Sequence, residues 1–249
     1  MEVMSNLFLW GCAGAIFIAA LNKGTFGMGF PLIATPLIAL LSDVPTAVVL
    51  TLFPNICMDL YQSFNRPWQR EDIRRVLPLI LPGVAGIFVG TKLLATLPGP
   101  TLNLCLGLMI LAFTVSQLMP WKPTLPRSNR TLWTTAAGVV AGVMGGVTNV
   151  FSPVAIYFYA MELEKAAFVQ SLGAAFLAFK LTQVATTYHF ELWTGTLAML
   201  SLPLTVIALS GYWCGRRIQV RLPETTFRKA VLVILSVAGV SLVLRSLVE

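Results

Sequence analysis

The sequence predicts an all-α polytopic membrane protein with two inverted-topology repeats, each a broken or re-entrant helix pair followed by three transmembrane helices. Three observations carry this prediction. The 249 residues are 57% hydrophobic and only 11% charged, whereas a soluble domain carries about 25% charged residues, so the chain cannot clothe itself for water. Apolar runs of membrane length recur along it. Two further apolar regions are interrupted, at corresponding places, by glycine, proline and polar residues.

The unbroken runs lie at 45–64, 76–95, 101–119, 165–187, 192–214 and 226–247, each near the roughly 20 residues that a bilayer requires. Region 6–42 is broken by "LNKGTFGMGFP" (Leu21 to Pro31), and region 132–161 by "GGVTNVFSP" (Gly145 to Pro153). The second region offers about 30 residues to two arms, or about 22 Å per arm, against a hydrocarbon core of about 30 Å. Length favours a re-entrant hairpin over two short complete spans. Parity permits both. The N-terminal "MEVMSN" lacks the basic stretch of a signal peptide, and no A-x-A site follows, so segment 7–21 is expected to be retained.

The net charge of +7 has a topological reading. Twelve of the 17 Lys and Arg fall in three places. Loop 65–75 has Arg66, Arg70, Arg74 and Arg75. Segment 120–130 has Lys122, Arg127 and Arg130. Stretch 215–229 has Arg216, Arg217, Arg221, Arg228 and Lys229. The positive-inside rule places all three in the cytoplasm. The loops at 96–100 and 188–191 carry no Lys or Arg and lie outside. Each broken region then returns to the side it left, and both termini face the periplasm. The halves, 1–120 and 131–249, are inverted about a linker at 121–130. Inverted repeats around broken helices point to a secondary transporter with its site at the midplane between the two breaks.

Irregular backbone is tolerated in a membrane only where protein or a water-filled cavity surrounds it. Gly24, Gly27 and Gly29 permit positive φ and close backbone approach at the first break. Pro31 and Pro153 suit the first turn of a returning half-helix. The N-termini of those half-helices offer N–H groups and partial positive charge to an anion. Lys23 strengthens that reading, because a charge at the bilayer centre costs about 2.5–3.5 kcal/mol and needs a partner or a watery site. Asn22, Thr25, Thr148, Asn149 and Ser152 add neutral donors, or cap the half-helices. The glycines at 83, 86 and 90, at 138 and 142, and at 211 and 215 read as tight helix packing.

Other polar groups are few. Asp59 is either a proton relay or a partner of Arg66. Lys180 either draws anions through an outer vestibule or snorkels outward, and Lys92 snorkels. Gln170, Asn55 and Gln62 line the path or bond to neighbouring helices. The four cysteines stand alone in apolar runs without metal-ligand spacing. The single histidine, His189, lies in an outer loop, and no G-x-S-x-G, HExxH or Walker-type loop occurs. No enzyme activity, cofactor or metal is expected, and no nucleic acid, since basic residues are not interleaved with exposed aromatics. The runner-up to a carrier is a passive anion channel.

The stretches "NKGTFGMGFPLIATPLI" and "VPTAVVLTL" in the first half, with "GVVAGVMGGVTNVFSPVAIYFYA" and "KAAFVQSLG" in the second, resemble the TauE/SafE family of sulfite and organosulfonate exporters. That resemblance implies a multi-pass carrier of a bacterial inner membrane that moves a small sulfur-containing anion, usually outward. The sequence departs from the family pattern in two ways. "VTNVFSP" stands where a glycine run is expected, and Lys23 precedes the first turn. Substrate identity, a coupling proton and a homo-oligomeric assembly are left open.

Overall fold

The computed structural model describes residues 2–119, 130–218 and 224–248, with the side chains of 6–119, 131–218 and 229–248. Segment 120–129, which holds Lys122, Arg127 and nearly all of the expected linker, lies outside the described residues, as does 219–223 with Arg221. The described residues form ten α-helices: α1 (Glu2–Phe26), α2 (Phe30–Leu41), α3 (Val44–Phe64), α4 (Arg70–Thr96), α5 (Gly99–Leu118), α6 (Arg130–Thr148), α7 (Ser152–Tyr159), α8 (Lys165–His189), α9 (Gly195–Ile218) and α10 (Glu224–Val248). Eight are long and apolar enough to cross a membrane, and the protein is an all-α, multi-pass membrane protein. Leu81, Met199, Leu202 and Val206 are exposed, as lipid-facing side chains should be.

The two breaks fall where glycine and proline placed them, but their arms are unequal. α1 has 25 residues against 12 for α2, and α6 has 19 against 8 for α7. At 1.5 Å per residue, α6 reaches about 28 Å and α7 about 12 Å, not the even division expected. The second break is also shorter than "GGVTNVFSP" implied. Helix α6 runs through Gly145 and Gly146 to Thr148, leaving only Asn149–Phe151 outside helix. Close packing accounts for this. A Cβ on Gly146 would lie 2.8 Å from Ile87 O and from Gly90 Cα on α4, so the glycine serves a helical contact.

The helices group into two compact units, each containing one break. The first takes in the described residues of 1–55, 97–119 and 192–249. In it α1 packs on α9 and α2, α2 also meets α10 and α5, and α5 pairs with α10. The second takes in those of 56–96 and 120–191, where α4 packs on α6 and α8, and α7 meets both α6 and α8.

Each unit has a glycine seam. Lipid tails are as apolar as leucine, so helices associate through close packing rather than hydrophobic burial. In the first unit a Cβ on Gly24 would strike Tyr212 O of α9, and one on Gly215 would strike Leu21 O of α1. In the second, a Cβ on Gly142 would strike Gly83 O and lie 2.9 Å from Gly86 Cα. The packing role expected for the glycines at 83, 86, 90, 138, 142, 211 and 215 is what the structure shows.

Candidate functional site

The first break begins where α1 ends. Gly27 (φ 82°) and Gly29 (φ 93°) both occupy left-handed backbone, a region glycine enters without steric cost. Gly29 is the N-cap of α2 and provides no side-chain cap, and Pro31 sits in the first turn. The Asn22 amide braces the turn by donating to Met28 O at 3.0 Å. At the other end of α2, Arg245 of α10 donates to Ala39 O at 3.1 Å. A cation at a helix C-terminus answers the negative end of the macrodipole, while the positive end stays directed at the break.

Lys23 lies in the last turn of α1 and is fully buried. Its ammonium donates to Asn55 Oδ1 at 2.6 Å, and Asn55, also fully buried, belongs to α3. Thr25 donates its hydroxyl to Leu21 O at 2.9 Å, with Gly215 O at 3.3 Å, which ties α1 to α9. Gly24 lies within α1 and contributes close approach rather than positive φ.

The second break has a different chemistry. Asn149 adopts φ 66°, one of the few non-glycine residues that tolerate this region. The Thr148 hydroxyl donates to Met144 O at 2.8 Å. Ser152 opens α7 half-buried, and the N-cap position is Phe151, with no side-chain cap. Lys180 of α8 reaches this break, an assembly that its span position did not reveal. It is fully buried, so it does not snorkel. Its ammonium donates to Gln183 Oε1 at 2.8 Å and lies 4.4 Å from the centroid of the Phe151 ring. Gln183 in turn donates to Gly145 O at 3.1 Å and Gly146 O at 3.3 Å. The amide links the lysine to carbonyls in the last turn of α6, a helix end that favours cations. Each break thus has a fully buried lysine seated on a carboxamide oxygen.

Two expected residues sit elsewhere. Gln170 is buried beside the arginine-rich loop after α3, where it accepts from Arg66 Nε and donates to Ser63 O at 3.1 Å and Arg66 O at 2.9 Å. Of its two expected roles, bonding to neighbouring segments is the one seen. Arg66 also pairs with Asp72 at 2.7 Å. Asp59 is fully buried on α3, one helical turn beyond Asn55. Gln183, Phe151 and Arg245 are the site-building residues that sequence reasoning missed. Only Gln183 left a signal, as the polar neighbour of Lys180 at i+3 on an apolar helix.

Eight membrane-length helices and two helix breaks, each with a buried lysine, define a multi-pass membrane protein. Comparison with known sequences specifies it further. The sulfite exporter TauE/SafE pattern matches residues 12–242, and the chain belongs to that family. No curated protein and no solved structure matches it.

Proposed function

We propose that the chain is a secondary transporter that exports a small sulfur oxyanion, sulfite or an organosulfonate. The carrying observation is the fully buried Lys23 ammonium on Asn55, in the turn that leads into the uncapped start of α2. Lys23 binds the anionic head by charge, and the first turn of α2, which opens after Gly29 without a side-chain cap, presents N–H groups to it. Asn22, Gly24 and Thr25 hold that turn in place. Thr148, Asn149 and Ser152 present the second break, where Lys180 lies on the anion's pathway. Gln170 secures α8, and Asp59 is the proton-coupling group. The order of one long, one short and three long helices occurs twice. That order supports two repeats, 1–120 and 131–249, and the Lys- and Arg-rich loops support their inversion in a bacterial inner membrane with both termini periplasmic.

A charge-assisted hydrogen bond contributes about 1.5–3 kcal/mol, so Lys23→Ala should weaken anion binding roughly 10- to 150-fold. Lys23→Arg keeps the charge on a planar fork of different shape and should restore only part of it. The measurement is calorimetric titration of sulfite and ethanesulfonate into protein in lipid nanodiscs, with folding verified by thermal unfolding. A folded Lys23→Ala variant with unchanged affinity defeats the reading. Counterflow in proteoliposomes is expected, and unitary currents would make the protein a channel instead.

A further inference from the structure

We infer that Asn55 determines selectivity at this site, its Nδ2 donating to a second oxygen of the anion head while Lys23 engages the first; this rests on the reading above. The amide orientation follows from its neighbour. Lys23 Nζ, a pure donor, lies 2.6 Å from Oδ1. A flipped amide would set NH₂ against NH₃⁺, donor against donor. Nδ2 is therefore turned away from the ammonium with both its N–H groups.

Asn55 is fully buried, and Nδ2 has no hydrogen-bond partner among the described residues. Buried donors are rarely left so, because an unmade bond forfeits the full desolvation cost. An acceptor arriving with the substrate removes that cost. Oδ1 and Nδ2 of one carboxamide are about 2.3 Å apart from their bond lengths, so Nδ2 lies within about 5 Å of Nζ. Two donors this close suit a head that carries several oxygens on one atom, as a sulfonate or sulfite does. A halide must draw both bonds to one centre, so it cannot meet the two donors with separate, directed acceptors. A site that bonds every donor rejects the analogue lacking an acceptor far more strongly than shape alone would. Aspartate here would keep the bond to Lys23 but neutralise the ammonium and face the anion with a carboxylate.

The test compares wild type with Asn55→Asp and Asn55→Leu in nanodiscs, titrated with ethanesulfonate, sulfite and chloride. Wild type should bind both oxyanions more tightly than chloride. Asn55→Asp should fold at least as stably and lose oxyanion affinity at least 10-fold. Asn55→Leu should lose oxyanion affinity at least 10-fold and keep its chloride affinity. Either folded variant retaining wild-type preference for oxyanions over chloride overturns the inference. So does a wild type that binds chloride as tightly as ethanesulfonate, a result that needs no variant. If Lys23→Ala loses binding while the Asn55 variants do not, only the selectivity role falls. If wild type binds no oxyanion, both readings fall.

Discussion

Replacing Gln183 with leucine tests how the second break is held. The amide accepts from Lys180 and donates to Gly145 O and Gly146 O, and the residue is fully buried. The bond to the ammonium is worth about 1.5–3 kcal/mol. Hydrogen bonds between membrane helices average about 0.6 kcal/mol, and there are two such carbonyl contacts. Leucine gains no hydrophobic offset, because its alternative environment is lipid. Gln183→Leu should therefore destabilise the protein by about 3 kcal/mol, roughly 100-fold in the unfolding equilibrium. Gln183→Glu separates the contributions. It keeps an acceptor for Lys180 but turns the carbonyl-facing atom from donor to acceptor, so it should lose the tie to α6 and retain the lysine contact. Unfolding is followed by tryptophan fluorescence during dodecyl sulfate titration in mixed micelles. A Gln183→Leu variant within about 0.5 kcal/mol of wild type, the ordinary range for an inconsequential substitution, would refute the account.

Gly142→Ala should cost about 1–3 kcal/mol through overpacking, because its Cβ meets only backbone of α4. Gly14→Ala, whose Cβ meets nothing within 4 Å, should be neutral or stabilising, and the same titration checks both. Asp59→Asn should abolish pH-driven transport in proteoliposomes while leaving ethanesulfonate affinity within about twofold; full pH-driven transport would make Asp59 structural. A C-terminal alkaline phosphatase fusion should be active and a green fluorescent protein fusion dark. The reverse result would overturn the periplasmic assignment of the C-terminus.

The long helices were legible because a membrane imposes a minimum apolar length. The runs at 45–64 and 165–187 differ from α3 and α8 by no more than two residues at either end. Pro31 and Pro153 marked helix starts because proline lacks the N–H that a first turn does not use. The glycine spacings announced the seams, since only a missing Cβ allows backbones to touch. What each helix faces was not legible. In a soluble helix an apolar stripe marks the inner face. Here lipid and protein interior are equally apolar, and the stripe vanishes. Lys180, measured along α8 alone, could not show that the Gly145–Phe151 segment meets it. Glycine was also ambiguous. Gly27 and Gly29 break the chain, whereas Gly145 and Gly146 pack within a helix. The residue type is the same, and only the partner decides.

The contact of Gly24 with α9 bears on movement. A joint made of main chain alone has no rotamers to absorb displacement, so it either holds or parts. Gly24 adjoins Lys23, which fixes the root of the lysine relative to Tyr212 and Gly215. Past the joint the chain is held as well: Asn22 donates to Met28 O in the left-handed turn and Arg245 to Ala39 O at the far end of α2, so the root of the charge and the short helix keep one setting.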